Sequence, residues 1–390
     1  MKVVLITRDD IGGIGLMCLQ LQRTLEKIGH ECRMVVLQNH THQKGVYTYG
    51  YRRWRITERV TEFLAKHDIA DTKRKAAWDI GGKVPTSYIN LLHCPWVKWA
   101  DVVHLHLVAE YVDYPSFCKG IGKPVVWTSH DEYFFHGVIF HEKDKRPDHP
   151  LEQYYAEVKR KAYAHIEKMG IVLLSEYQRK KFEGNGLLEG REVRVINNAV
   201  DTTMYHPMPR HEARKRLGLN DTDIVFVFTA FDICDDRKGL NTLSEAVMKL
   251  GNPRIKIVAI GHNTGNRSWP NVTETGYKEG AEAMSEVLSA ADYFAMPSKA
   301  EAFALSPMQA MACGLPVVAF PVSGTSELIN ERNGVICNGF TTEALKDGIE
   351  TLMGRQYDAD AIRQDMMKRF SPETNAREYV SLYKRLVVSC

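Results

Sequence analysis

Short runs dense in Val, Ile and Leu recur along the chain, and stretches of helical period with one apolar face separate them. In the first half the runs are 3–7, 33–37, 102–106, 124–128, 171–174 and 193–196. In the second they are 224–229, 255–260, 293–296 and 317–320. Apolar and polar residues scarcely alternate within them, which is the pattern of parallel strands buried on both faces. Strands and helices alternating in two sets predict an α/β protein of two doubly wound domains. Residues 198–219 contain two prolines and no strand pattern, so the boundary falls there, with domains at 1–198 and 199–371. The last stretch, about 372–390, carries Ala376, Tyr379, Leu382, Tyr383 and Leu386 on one helical stripe and predicts an amphipathic helix. Open sheets of this kind bind ligands beyond the carboxyl ends of their strands, and two such sheets facing each other would enclose a cleft.

A length of 390 residues fits two domains, and 44% hydrophobic with 25% charged residues is the composition of a soluble globular protein. No apolar run is long enough to span a bilayer, and the opening MKVVLITRDD lacks the apolar core of a secretion signal. Eight scattered cysteines without a Cys-x-x-Cys pair, among them Cys32, Cys94 and Cys313, read as reduced structural thiols. These features predict a cytoplasmic protein. A net charge of +3 is too small to imply nucleic acid. The segment 39–99 is aromatic and basic, as in YTYGYRRWR (47–55). It reads either as a partly packed surface element or as a contact with an acceptor or an anionic membrane through Arg52, Arg53 and Arg55. The basic clusters 159–161 and 179–181, on predicted helices of the same half, read as ordinary solvent faces and add only slightly to the membrane reading.

Candidate chemistry concentrates in SKAEAFALSPMQAMACGLP, residues 298–316. Ser306 suits a helix N-cap, Pro307 the first helical position and Gly314 the C-terminal stop. A helix N-terminus beyond a strand offers free N–H groups to an anion such as phosphate. Glu301 beside it suits sugar hydroxyls, so the pair predicts a sugar–phosphate ligand. In RDDIGGIG (8–15), Gly12 and Gly13 let backbone approach a phosphate or sugar, or simply form a tight turn. His130 and Asp131 follow a strand, where a histidine is either structural or faces a ligand. His104 reads as core. Arg237 and Lys238 precede Gly239 and a helix, which suits a diphosphate leaving group. The bland alternative is a basic turn pairing with Asp235 and Asp236, and those two acids also admit a metal.

The 298–316 stretch closely resembles the signature of retaining glycosyltransferases of family 4, the glycosyl transferases group 1, which share the GT-B fold. Pro297, Ser298, Glu301, Phe303, Leu305, Ala310, Met311, Ala312, Cys313, Gly314, Pro316, Val317 and Val318 match it. Gln309 stands where the family has a second glutamate. The resemblance implies two facing Rossmann-like domains, the first for the acceptor and the second for a nucleotide-sugar donor, with the last helix packed back on the first. It implies Glu301, His130 and Lys238 as catalytic. Gly12, Gly13, Arg237, Lys238, Gly261, Tyr277, Phe303, Ala304, Leu305, Gln309 and Glu327 would bind the donor, and His106 and Asp131 the acceptor. Arg237 stands off the family's arginine position, which is Ile233 here. For Gln309, contact with the nucleotide ribose competes with a capping box on Ser306. No metal is implied, and no cofactor beyond the donor, a UDP-sugar ahead of a GDP-sugar. The implied activity is retaining transfer of a hexose to a glycan, glycolipid or small hydroxyl acceptor in polysaccharide or glycoconjugate assembly, at the inner face of the membrane. The alternatives are a non-catalytic nucleotide-sugar binder and another GT-B enzyme, a phosphorylase or epimerase.

Overall fold

The computed structural model describes residues 1–66, 72–79, 81–140 and 149–388. Positions 67–71 and 80 of the basic segment, and 389–390 of the expected last helix, lie outside the described residues. Two compact units form: Met1–Leu174, Arg179–Ile196 and Glu373–Cys390 make the first, and Ser175–Gln178 with Asn197–Pro372 the second.

The first unit is built on a seven-stranded sheet. Its strands are β1 (Lys2–Asp9), β2 (Glu31–Gln38), β3 (Val46–Thr48), β4 (Val102–Leu105), β5 (Val125–Ser129), β6 (Met169–Leu173) and β7 (Glu192–Val195). They run in the order β3-β2-β1-β4-β5-β6-β7, and every pairing is parallel. Alternate residues go to opposite cores. Val4, Ile6, Val103, Leu105, Val125 and Trp127 enter one, and Val3, Leu5, Val102 and Val126 the other. The second core also takes the stripe Ala376, Tyr379, Leu382, Tyr383 and Leu386 of the helix Pro372–Val388.

The second unit holds a six-stranded parallel sheet in the order β10-β9-β8-β11-β12-β13. The strands are β8 (Ile224–Asp232), β9 (Ile255–His262), β10 (Val272–Glu274), β11 (Tyr293–Met296), β12 (Val317–Ala319) and β13 (Gly334–Ile336). All ten expected strands are present. The sequence pattern missed β3, β10 and β13, each three residues long and each at a sheet edge. Three residues carry no readable period, and an edge strand needs less apolar character than a central one.

Two expectations are corrected. Lys159, placed on a solvent face, is 1% exposed; its ammonium donates to the carbonyls of Tyr133 and His136 and lies 3.1 Å from the Tyr133 ring centroid. Lys161 in the same cluster is exposed. Residues 175–178, expected in the first domain, belong to the second unit, where the backbone N–H groups of Glu176 and Tyr177 donate to the Glu327 carboxylate. Among the described residues no helix is long and apolar enough to cross a membrane.

Candidate functional site

In the second sheet the strand order reverses between β8 and β11, and the crevice beyond their carboxyl ends is where such a sheet takes its ligand. Two turns meet there. Gly239 follows β8 at φ 85°, and a Cβ on it would lie 2.3 Å from the Pro297 carbonyl oxygen, which follows β11. Only glycine permits that approach. Lys299 N–H donates to the Arg237 carbonyl at 2.8 Å and locks the turns together. Lys238 Nζ is thereby brought 2.5 Å from Glu301 Oε1, with the side chains 30% and 16% exposed. Arg237 forks onto Asp235 instead, at 3.1 and 2.8 Å. Asp236 accepts from Arg267 at 2.6 Å and from Asn241 at 3.0 Å. Each of the two acids is thus engaged by an arginine.

The helix after Glu301 spans Leu305–Ala312 and starts earlier than expected. Ala304, at φ −71° and ψ 135°, is its N-cap, and no side chain caps the first turn. Ser306 is therefore not the cap. Pro307 falls at the third helical position, where its missing N–H has no intrahelical partner to lose. Phe303 sets this start: its ring is buried, and its carbonyl accepts from Asn198 Nδ2 at 2.7 Å. The C-terminal stop is as expected. Gly314 takes φ 83°, its N–H donates to Met311 at 2.9 Å, and Leu315 N–H donates to Ala310 at 3.0 Å, a Schellman closure. The capping box fails with its cap. Gln309 Nε2 donates to the Tyr205 hydroxyl at 2.9 Å.

Farther along the same sheet edge, Gly261 N–H donates to the Gly276 carbonyl at 3.2 Å. Tyr277 stacks on His262, with centroids 4.8 Å apart and planes within 5°. Phe231 stands edge-on to both rings at 5.2 and 5.8 Å and is 62% exposed. It sits where β8 slips register between Thr229 and Asp232, an irregularity that re-aims side chains. Sequence reasoning named Tyr277 and passed over Phe231 and His262; a large aromatic directly before the terminal Asp232 was the available signal.

The first sheet reverses between β1 and β4. Gly12, at φ 68°, and Gly13 open the helix Gly12–Lys27, whose N-cap Ile11 offers no side-chain acceptor. Beside them lies an acid the sequence did not single out. Asp10 is fully buried, and its carboxylate accepts from the backbone N–H groups of His40 at 2.8 Å and Thr41 at 2.9 Å. On one sheet face the histidines form steps. His104 Nδ1 meets the Tyr383 hydroxyl at 2.7 Å, His104 Nε2 meets Thr128 Oγ1 at 2.8 Å, and His106 Nδ1 meets His130 Nε2 at 2.8 Å. His104 is core, as expected. His106, expected on the acceptor side, is also buried, with Nε2 unpartnered among the described residues. Burial pushes His130 down to about 3 and holds His104 and His106 well below the usual imidazole range. Asp131 accepts from Tyr133 N–H at 2.8 Å, and burial pushes its carboxyl up to about 6.

Known proteins resemble this chain in a segment of sequence and in fold. Residues 223–355 match the family model "Glycosyl transferases group 1". A sucrose-phosphate synthase from Thermosynechococcus elongatus superimposes over 100% of both chains, with a TM-score of 0.68 at 18% identity. The Anabaena protein Alr3699/HepE in complex with UDP does so over 98% of this chain and 100% of that one, at 0.67 and 16%. The fold is thus GT-B, an α/β architecture of two parallel-sheet units. The matched segment lies within the second unit, which is thus similar to the group 1 glycosyltransferases. Among curated relatives, a D-inositol 3-phosphate glycosyltransferase of Rhodococcus erythropolis is 26% identical over 50% of this chain and 49% of its own. A glycogen synthase of Chlorobaculum parvum is 25% identical over 52% and 47%. The chain spans about half the length, or less, of the curated relatives it matches.

Proposed function

We propose that the chain is a retaining, metal-independent hexosyltransferase that uses a nucleoside diphosphate sugar. The observation that carries this reading is the Lys238–Glu301 pair, set at the reversal of the second sheet beside the uncapped start of the helix Leu305–Ala312. On donor binding the pair opens. Lys238 moves to the diphosphate, and Glu301 takes hydroxyls of the sugar. Arg237 and the N–H groups around Ala304 and Leu305 meet the charge that grows on the leaving phosphate. His130, neutral by burial, orients the sugar. The bond from the anomeric carbon to phosphate breaks, the acceptor oxygen bonds that carbon on the same face, and the acceptor proton passes to the leaving phosphate oxygen. No protein base is required.

Phe303, Gly261, Tyr277, Gln309 and Glu327 complete the donor site, and Gly12 and Gly13 are the first unit's candidates for backbone contact with a phosphate. A UDP-sugar stands ahead of a GDP-sugar as the donor in this reading, and the neighbours solved with UDP and with UDP-glucose support it. The acceptor is a glycan, glycolipid or small hydroxyl compound handled by the first unit through Asp131, with His106 acting behind His130. Exposed Arg52, Arg53 and Arg55 suit peripheral contact with the inner face of a membrane, in cytoplasmic polysaccharide assembly. The hold of Tyr205 on Gln309 favours one second reading, a nucleotide-sugar binder without turnover. A thermal-shift screen of UDP, GDP and ADP and their sugars tests the donor. Transfer assays with and without EDTA, with product anomers read by NMR, test the rest. Equal turnover in EDTA and a retained anomer are expected; donor binding without turnover supports the second reading.

A further inference from the structure

The sugar-transfer reading leaves the chemical class of the acceptor open, and a second cluster in the first unit bears on it. Glu110 follows β4 and is 6% exposed, in a left-handed conformation at φ 57° that is uncommon for a residue with a side chain. Its Oε1 accepts from Trp78 Nε1 at 2.6 Å. Its Oε2 lies 3.2 Å from Lys83 Nζ and 3.5 Å from Arg8 Nη1. Arg8 comes from the end of β1, so the cluster spans the β1/β4 reversal, the place where a sheet of this topology binds ligand. Two indoles wall it: Arg8 stands 5.7 Å from the Trp54 ring centroid and Lys83 5.7 Å from that of Trp78. Both tryptophans come from the aromatic, basic segment 39–99.

The unfilled hydrogen-bonding capacity here is all on the donor side. The Glu110 carboxylate is engaged at both oxygens. Arg8 reaches only long ion pairs, 3.5 Å to Glu110 and 3.9 Å to Asp9, and the Lys83 ammonium, 3.2 Å from Glu110 Oε2, has N–H donors beyond that one contact. Their side chains are 21% and 36% exposed, so water reaches these donors while much of each cation is withdrawn from it. A group that satisfies them must bring acceptor atoms. Carboxylate and phosphate do so with matching charge, and a guanidinium binds either with two parallel bonds. The indoles offer flat apolar faces suited to the C–H face of a sugar ring.

We propose that Arg8 and Lys83, walled by Trp54 and Trp78, form a subsite for the anionic group of an acid-bearing saccharide acceptor. The carboxylate of a uronic acid and the phosphate of a sugar phosphate share the required chemistry. The proposal rests on the sugar-transfer reading only in calling this ligand an acceptor. Glu110, held by Trp78, is a positioning residue that sets the two cations apart.

Titration calorimetry of the full chain with D-glucuronate, D-glucose 6-phosphate and D-glucose, with and without UDP, tests it. One or both acids bind saturably and glucose does not. Binding of glucuronate alone identifies carboxylate, and of glucose 6-phosphate alone phosphate. Arg8→Gln and Lys83→Gln each weaken acid binding about tenfold or more, the scale of a lost charge-assisted hydrogen bond. Lys83→Gln serves if Arg8→Gln does not fold, since Lys83 is the more exposed. Heats of UDP binding stay at the parental value in both. The proposal is overturned if neither acid binds, if glucose binds as well as the acids, or if the folded variants keep parental affinity. Failure of UDP to bind while an acid does would instead count against the donor site.

Discussion

Lys238 and Glu301 neutralise one another at 2.5 Å, yet both keep a share of solvent contact, so the pair can exchange partners with a ligand. Glu301→Ala should lower turnover by several orders of magnitude with the melting temperature nearly kept, because a partly exposed pair adds only about 0–1 kcal/mol to stability. Near-parental transfer by this variant would remove Glu301 from the site. Lys238→Ala should weaken UDP binding more than Arg237→Ala, since Arg237 is already forked onto Asp235. Calorimetry on the two variants gives the order directly, and the reverse order would move the diphosphate toward Arg237. The histidine steps add a pH dependence. Burial lowers His104, His106 and His130, so below about 6.5 the unfolded chain binds protons that the folded one does not. Their contribution is fully present above that value and is lost as pH falls toward about 3. Asp131, raised to about 6 from 3.8, opposes this, its contribution shrinking as pH rises through that interval. Three imidazoles outweigh one carboxyl, so unfolding at about pH 5.5 should take up protons. Calorimetry in buffers of different ionisation enthalpy reads the uptake; net release would contradict the burial of these rings.

Elements were legible in the sequence where a long pattern backed them. The ten strand runs and the stripe Ala376 to Leu386 were visible, because burial on a sheet face or helix stripe repeats over several residues. The start of the helix Leu305–Ala312 was not, because Ser306–Pro307 reads as a cap by local chemistry while burial of Phe303 decides the matter from outside the segment. The Lys238–Glu301 contact was hidden for the same reason: it joins residues 63 positions apart through a close approach of backbones. That approach is testable at Gly239. Alanine there carries a left-handed conformation, costing roughly 1–2 kcal/mol, and sets its Cβ 2.3 Å from the Pro297 oxygen. Gly251→Ala is the control, with φ 64° and open space around the added carbon. Both should melt below the parent, and only Gly239→Ala should also lose UDP affinity as the two turns part. Equal UDP affinity in the two variants would show that the docking of these turns does not build the donor site.

At the scale of the whole molecule, the chain closes on itself through its last helix. Pro372–Val388 brings Tyr379 and Tyr383 to the buried polar steps of the first sheet, more than 250 positions away in sequence. The sequence showed an amphipathic helix and a core histidine, but no pattern in either segment reveals that a tyrosine hydroxyl and an imidazole complete each other. The two hydroxyls are not equivalent. Tyr383 is the partner of His104 Nδ1, so Tyr383→Phe strands a buried polar nitrogen, at a cost of about 1–3 kcal/mol. Tyr379 contacts Thr128 Oγ1 at 3.1 Å, and that hydroxyl keeps His104 Nε2 at 2.8 Å when Tyr379 is removed. Tyr379→Phe should therefore cost less, and the melting temperatures should fall in the order parent, Tyr379→Phe, Tyr383→Phe. Hydrogen exchange should locate the effect, with protection falling in β4 and β5, the strands that carry His104 and Thr128. A Tyr383→Phe protein as stable as the parent, with unchanged exchange in those strands, would mean that the helix is held by its apolar stripe alone and that the histidine steps do not depend on it.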